Sequence, residues 1–161
     1  MHILSHDGGL LDASCIAIIA ALQHFRRPDV SIAGEEVTVY SSRERAPVPL
    51  SVLHQPLCVT FSFFDVGVGV GEMVVVVDAT SQEEMIREGE VVVTVNRHGE
   101  VCQIAKLGGV TVDALTLLNC TDVALVKVQE ITKFISRRLE EDAKAKNPGG
   151  LMAELSAENE R

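Results

Sequence analysis

The residues Asp7-Gly8-Gly9 are the first group in this chain whose types and spacing could do chemistry. They directly precede an apolar segment, and the free amides at a helix N-terminus bind anions. His6, which stands beside Asp7, could form an acid–base pair with it. No lysine or arginine is adjacent, and no serine or cysteine nucleophile stands in a recognisable setting. We therefore favour a structural turn with a capping histidine.

Gly67, Gly69 and Gly71 superficially resemble a loop that holds phosphate groups. A dinucleotide-binding fingerprint needs the pattern GxGxxG after a strand and at the beginning of a helix. Here the pattern is GxGxG, and it lies between two predicted strands. We predict a hairpin turn at this position.

A cluster of acidic side chains follows the second of these strands. Carboxylate oxygens are the ligands that Mg²⁺ prefers, so a metal site is one interpretation. The solvated face of a short helix explains the same residues, and we predict no metal site and no cofactor. The cluster consists of Asp78, Glu83, Glu84, Glu88 and Glu90.

Two pairs of arginines could contact phosphates from a channel built together with partner proteins. The first pair is Arg26 and Arg27, and the second is Arg43 and Arg45. Helix capping and surface solvation are the alternative roles for these side chains. A chain with a formal net charge of −9 repels phosphate backbones, so we do not expect it to bind nucleic acid well alone.

The length of 161 residues predicts one domain. Its core should be aliphatic, since 47% of the residues are hydrophobic and none is tryptophan. The pattern contains no signal peptide or membrane span, which predicts no membrane association. The cysteines form no CxxC pair, so we interpret them as reduced thiols. They are Cys15, Cys58, Cys102 and Cys120.

The element that must position these groups is a helix over Asp12–Phe25, which has no polar face. A helix of this kind is normally covered on all sides. We predict Asp12 as its N-cap and place Arg26, Arg27 and Pro28 at its end. Almost nothing precedes the helix, so either the later sheet wraps it or a covering layer is absent.

The rest of the chain predicts strands followed by one long helix, which is an α+β or mixed α/β arrangement. Met73–Val77 is an apolar run and should be buried on both faces. Asp78–Glu88 begins with a capping residue and favours a short helix or a wide loop. The predicted strands are Val30–Ala33, Glu36–Tyr40, Leu57–Phe64, Met73–Val77, Val91–Val95 and Val101–Lys106, the NRHGE segment at 96–100 forms a hairpin turn, and the long helix spans Val112–Lys144.

Several stretches, taken in order, resemble the ribonuclease PH-like subunits of the RNA exosome ring. They are SHDGGLLDASCIAIIAAL, HFRRPDV, ERAPVPLSV, PLCVTFSFF, VVDATSQEE and VNRHGEVCQI. The resemblance runs from about Ile3 to Leu139, and HFRRPDV and PVPLSV make it specific. It implies an α+β fold of two halves related to ribosomal protein S5 domain 2.

The resemblance also implies a domain organisation. Residues 1–28 resemble the end of the first half, with its last strand, a loop and the central helix. Residues 29–146 resemble the complete C-terminal half, and residues 147–161 form a mobile acidic tail. The first part of the domain, which would cover the apolar helix, is then absent from this chain.

The same resemblance implies that the catalytic positions are degenerate. Active relatives follow the Asp-Gly-Gly turn with threonine or serine and then with an arginine that holds phosphate, whereas this chain has Leu10 and Leu11. Active relatives also place two aspartates before the NRHGE-like turn. The corresponding residues here are Glu84 and Glu90, each a methylene longer, and imprecise placement lowers the rate steeply.

We therefore expect a non-catalytic structural subunit of the exosome ring, which supports 3′–5′ RNA processing and degradation through assembly and RNA channelling. The implied partners are other ribonuclease PH-like ring subunits, S1/KH cap subunits and single-stranded RNA. The implied location is the nucleus and nucleolus, and also the cytoplasm. A phosphate-dependent 3′–5′ exoribonuclease and a non-enzymatic adaptor remain as alternatives.

Overall fold

The computed structural model describes residues 1–65, 67 and 73–146. These residues divide into two compact units, the first made of residues 1–19 and 54–133 and the second of residues 20–53 and 134–146. The elements are α1 (Leu10–His24), β1 (Arg26–Arg27), β2 (Val30–Ala33), β3 (Glu36–Val39), β4 (Val48–Pro49), β5 (Leu57–Asp65), β6 (Met73–Val77), α2 (Ser81–Ile86), β7 (Gly89–Val95), β8 (Val101–Gly108) and α3 (Ala114–Lys146).

A four-stranded antiparallel sheet in the order β6-β5-β7-β8 forms the centre of the first unit. Its two inner strands carry most of the buried side chains, because each is paired on both edges. The fully buried ones include Phe61 and Phe63 of β5 and Val91 and Val93 of β7. The sheet with its accompanying helices confirms the predicted α+β class.

Helix α1 begins at Leu10, so Asp12 lies within its first turn. Asp12 is therefore not the N-cap, which corrects the prediction. Its carboxylate accepts hydrogen bonds from the Thr60 amide at 2.7 Å and the Thr60 hydroxyl at 2.8 Å. Ile19 is the only buried residue of the helix, while Leu11 is 56% exposed and Ile18 is 48% exposed. Of the two alternatives drawn from the sequence, the exposure of these side chains excludes the one in which the sheet wraps the helix on all sides.

Two further strand predictions need correction. Met73–Val77 does form a strand, but β6 is an edge strand that pairs only with β5, so Val74 and Val77 are about two-fifths exposed. The strand implied before α1 is not formed, since residues 1–6 have no regular secondary structure. A strand needs a partner edge, and the described residues pair no segment with residues 1–6.

The predicted turns are confirmed where the structure describes them. The 96–100 turn joins β7 and β8, and Gly99 has φ +85°. Asp65 pairs with Met73 in antiparallel register, so β5 and β6 are adjacent strands. Most of the predicted turn between them lies outside the described residues. Gly67 has φ +67°, whereas Gly69 and Gly71 lie outside the described residues.

The second unit contains two small antiparallel pairs, β1 with β4 and β2 with β3. The β2–β3 hairpin turns at Gly34, which has φ +64° and lies between the two predicted strands. The β1–β4 pair was not predicted, since two-residue strands leave no periodic signal. Within the described part of the chain, no helix is long and apolar enough to cross a membrane.

A substitution of Gly8 tests how tightly the turn before α1 is packed. Gly8 has φ +86°, and a Cβ there would overlap the Ala79 carbonyl oxygen. We expect Gly8→Ala to destabilise the fold by about 3 kcal/mol, which combines the strain of a positive φ with overpacking. Thermal denaturation should then show a melting temperature lower by about 6–12 °C.

Gly34→Ala is the matched control for that substitution. Gly34 has φ +64° but open space around the position of a Cβ, so only the backbone strain of about 1 kcal/mol applies. Equal losses in the two variants would contradict the packing described for Gly8.

Candidate functional site

A cavity of about 370 Å³ lies at the beginning of α1 in the first unit. It brings together residues that are distant in the sequence, because α1, β5, α2 and the beginning of β7 all contribute side chains. The predicted degenerate positions Leu11, Glu84 and Glu90 all line it. The complete lining is Ile3, Gly9, Leu10, Leu11, Ser14, Thr60, Glu84, Arg87 and Glu90.

The Asp7-Gly8-Gly9 turn holds the beginning of α1 against α2. The Gly9 amide donates a hydrogen bond to Glu84 Oε1 at 2.9 Å. Asp7 Oδ1 accepts from the Ser81 hydroxyl at 3.0 Å and from the Ser81 amide at 3.3 Å. The helix N-terminus attracts an anion, and here the chain supplies that anion from its own α2.

Leu10 and Leu11 follow this turn and supply no charge to the cavity. The Leu11 carbonyl oxygen lies 3.8 Å from Cys58 Sγ, so its backbone belongs to the contact between α1 and β5. Burial raises the pKa of the Cys58 thiol, which therefore stays protonated and is a poor nucleophile.

Arg87 is the cavity residue that sequence reasoning missed. Its guanidinium lies 2.6 Å from a Glu90 carboxylate oxygen and 3.8 Å from a Glu84 oxygen. The three side chains are between 16% and 28% exposed, so water screens these pairs only partly. The spacing Glu84-x-x-Arg87-x-x-Glu90 is the signal that could have revealed the cluster.

The cluster leaves the cavity with an excess of negative charge. Two carboxylates face one guanidinium, and Leu10 and Leu11 add no cation. An incoming phosphate would have to displace a carboxylate from both the Gly9 amide and Arg87. The arrangement can hold α1, α2 and β7 together, but it presents no free cation to a phosphate.

Among the acidic residues around α2, Glu84 and Glu90 share Arg87, whereas Glu83 has a different partner. Thr80 caps the helix, and its amide and hydroxyl both donate to the Glu83 carboxylate, which lowers the pKa of Glu83 from its ordinary value. This stabilisation is present above the ordinary pKa and is lost as the pH falls through the lowered one. Asp78 is not the cap. Among residues 1–65, 67 and 73–146, no cluster could hold a metal ion.

His6 has the structural position that we favoured, since its Nδ1 lies 3.5 Å from the Gly8 amide within the same turn. The described cysteines are free thiols, with Cys58 and Cys120 buried and Cys102 exposed. Neither residue type joins a catalytic arrangement in the described chain.

The four arginines predicted to contact RNA all lie in the second unit. Arg26 donates to the last carbonyl oxygens of α1, at 2.7 Å from that of Gln23, and so caps the helix. Arg45 forms an ion pair with Asp29 at 2.9 Å and stacks 3.7 Å from the centre of the Tyr40 ring. The other two, Arg27 and Arg43, are exposed.

The comparisons with known proteins agree with this architecture. Residues 54–127 match the model described as the 3′ exoribonuclease family, domain 2. An archaeal exosome core contains a chain of the same fold, with a TM-score of 0.59 and 24% identity over 83% of this chain and 47% of that one. This chain has the ribonuclease PH C-terminal domain fold.

A second solved structure with this ribonuclease PH fold is the Archaeoglobus fulgidus exosome with RNA bound to the active site. Its TM-score is 0.57 at 23% identity, and the match covers 81% of this chain and 44% of that chain. At such identities the likeness shows the fold alone.

Curated relatives are much more similar in sequence. The exosome complex component rrp45 of Schizosaccharomyces pombe is 47% identical over all 161 residues of this chain and 53% of its own length. The RRP45 components of Saccharomyces cerevisiae and Homo sapiens are 42% and 46% identical, over 100% and 93% of this chain and 54% and 33% of their own lengths. The chain thus spans about half the length of the yeast relatives, or less for the human one.

Replacement of Arg87 tests whether the charge cluster holds the site together. We expect Arg87→Met to lower the free energy of unfolding by about 1–3 kcal/mol, because two partly buried carboxylates lose their shared cation. Urea unfolding measures the change. Lys127→Met, which removes an exposed pair with Glu130, should cost less than about 0.5 kcal/mol. Similar costs for both variants would contradict a structural role for Arg87.

Proposed function

We propose that this chain is a non-catalytic structural subunit of an exosome ring. In this role it supports 3′–5′ RNA processing and degradation, including that of ribosomal RNA, through assembly and RNA channelling. The observation that carries the proposal is that the polar groups of the cavity pair with one another. The Gly9 amide donates a hydrogen bond to Glu84, and Arg87 forms an ion pair with Glu90. No cation in the described site remains for the phosphate that phosphorolysis requires.

The names of the relatives support the exosome as the setting, because each is an exosome complex component. Since the chain spans only part of these proteins, their activity and partners are proposed here by similarity. We propose other ribonuclease PH-like ring subunits, S1/KH cap subunits and RNA as partners. More specifically, we propose that the chain takes the ring position of exosome component nine, the polymyositis/scleroderma autoantigen one. Nucleus, nucleolus and cytoplasm are the proposed locations.

The charge distribution supports a role in which basic partner subunits supply part of the positive charge that binds RNA. In the described chain, the first unit carries twelve acidic and five basic residues, whereas the second carries seven acidic and eight basic residues. RNA would therefore contact the second unit, where Arg27 and Arg43 are exposed. The first unit would repel RNA unless neighbouring subunits supply positive charge.

One observation favours the alternative of a phosphorolytic exoribonuclease, namely that Arg87 reaches the cavity together with two carboxylates. A cation and two acidic groups are the components that such a reaction uses. In this chain the three groups neutralise one another, and Leu11 supplies no second cation. The structural role is therefore the better supported of the two.

An assay with single-stranded RNA and inorganic phosphate separates the two functions. We expect the purified chain to release no nucleoside diphosphates, and size-exclusion chromatography to show a stable complex with a ribonuclease PH-like ring subunit. Phosphate-dependent shortening from the 3′ end would contradict the proposal. If shortening appears, Arg87→Met identifies its source, because only an activity of this chain would disappear in the variant.

A further inference from the structure

We propose that Phe134, Arg137 and Arg138 on α3 form a binding site for single-stranded RNA, with a base on the ring and phosphates on the guanidinium groups. The inference rests on the proposed role in RNA channelling but concerns residues outside the cavity and outside the four arginines discussed above. It starts from an exposed aromatic side chain in a chain that has few aromatic residues.

Phe134 is 50% exposed, although large aromatic side chains are normally buried. Residues 134, 137, 138 and 141 recur at helical spacings of three and four, so they lie along one stripe of α3. Ile135, the next residue, is only 6% exposed, and it lies on an adjacent side of the helix about 100° away. The exposed ring is therefore held in place by a rigid element.

The guanidinium groups of Arg137 and Arg138 lie 5.6 Å and 5.3 Å from the centre of the Phe134 ring. These distances are within cation–π range but exceed the 3.7 Å of the closed Arg45–Tyr40 stack. The ring surface thus remains open to a base. Aromatic faces accept any base, which suits a protein that handles RNA without sequence preference.

RNA phosphates would replace the Glu141 carboxylate as the partner of Arg137 and Arg138. Its carboxylate lies 3.0 Å from Arg138 and 3.9 Å from Arg137, and all three side chains are more than half exposed. Exposed ion pairs contribute little, so phosphates can replace the carboxylate at small cost. The stripe carries two positive charges against one negative charge, which is complementary to a polyanion. Aromatic residues and arginine are also enriched at protein–protein interfaces, so the experiments below include assembly with a ring subunit as a separate outcome.

The full chain can be tested with a fluorescent single-stranded oligouridylate by fluorescence anisotropy. We expect Phe134→Ala to weaken binding about five- to tenfold through lost stacking. In the double variant Arg137→Gln with Arg138→Gln, the slope of log K against log salt concentration should be smaller in magnitude by about 1.4. Each lost phosphate contact with a single strand removes about 0.7 from this slope. Lys127→Gln is the matched control, because it removes an exposed cation paired with a glutamate but lacks an aromatic neighbour.

Phe134→Trp supplies a second readout, because the natural chain contains no tryptophan. This variant should keep the affinity, and its emission should be quenched as RNA is added. Equal affinities for all variants together with unquenched emission would overturn the proposal. It would also be overturned if Phe134→Ala blocked assembly with a ring subunit but left RNA binding unchanged, since the surface would then be a protein contact.

The same experiments separate this inference from the proposed function. If the wild-type chain assembles with its ring subunit and that complex binds RNA regardless of residue 134, only the inference fails. If the wild-type chain neither assembles nor binds RNA, both fail.

Discussion

The hydrogen bond from the Gly9 amide to the Glu84 carboxylate is the interaction on which the site depends. It joins residues 75 positions apart and places α2 directly over the turn that begins α1. That closeness leaves no room for a side chain at Gly8. It also gives the helix N-terminus an internal anion, and the neighbouring Arg87 is neutralised by Glu90. A potential anion site is thereby filled by a contact between the turn before α1 and α2.

These internal pairs favour a structural role for the chain over a catalytic one. The cavity retains a volume of about 370 Å³ and carboxylates at both predicted positions, but its charges are satisfied internally. Meanwhile the outer face of α1, with Leu11 and Ile18, remains exposed in this chain. A protein whose polar site is closed and whose apolar surface is open is suited to assembly with other proteins.

The sequence predicted most elements because their signals are local. Alternating apolar residues marked β5, an apolar run marked β7, two short strands around Gly34 marked the β2–β3 hairpin, and the helical period marked α3. The errors concern tertiary partners: Asp12 had the right type for a cap but bonds to Thr60, and Met73–Val77 had a buried composition but occupies a sheet edge. The resemblance singled out Leu11, Glu84 and Glu90, which line one cavity in the structure. Arg87 was missed, although it lies three residues from both glutamates and pairs with them.

We propose that the site at the beginning of α1 does not bind phosphate. The most direct measurement follows the amide resonance of Gly9 by ¹⁵N nuclear magnetic resonance while inorganic phosphate is added at constant ionic strength. The account predicts no saturable shift, because the Glu84 carboxylate holds this amide. A saturable shift at Gly9, reached at millimolar phosphate and lost in Arg87→Met, would contradict it.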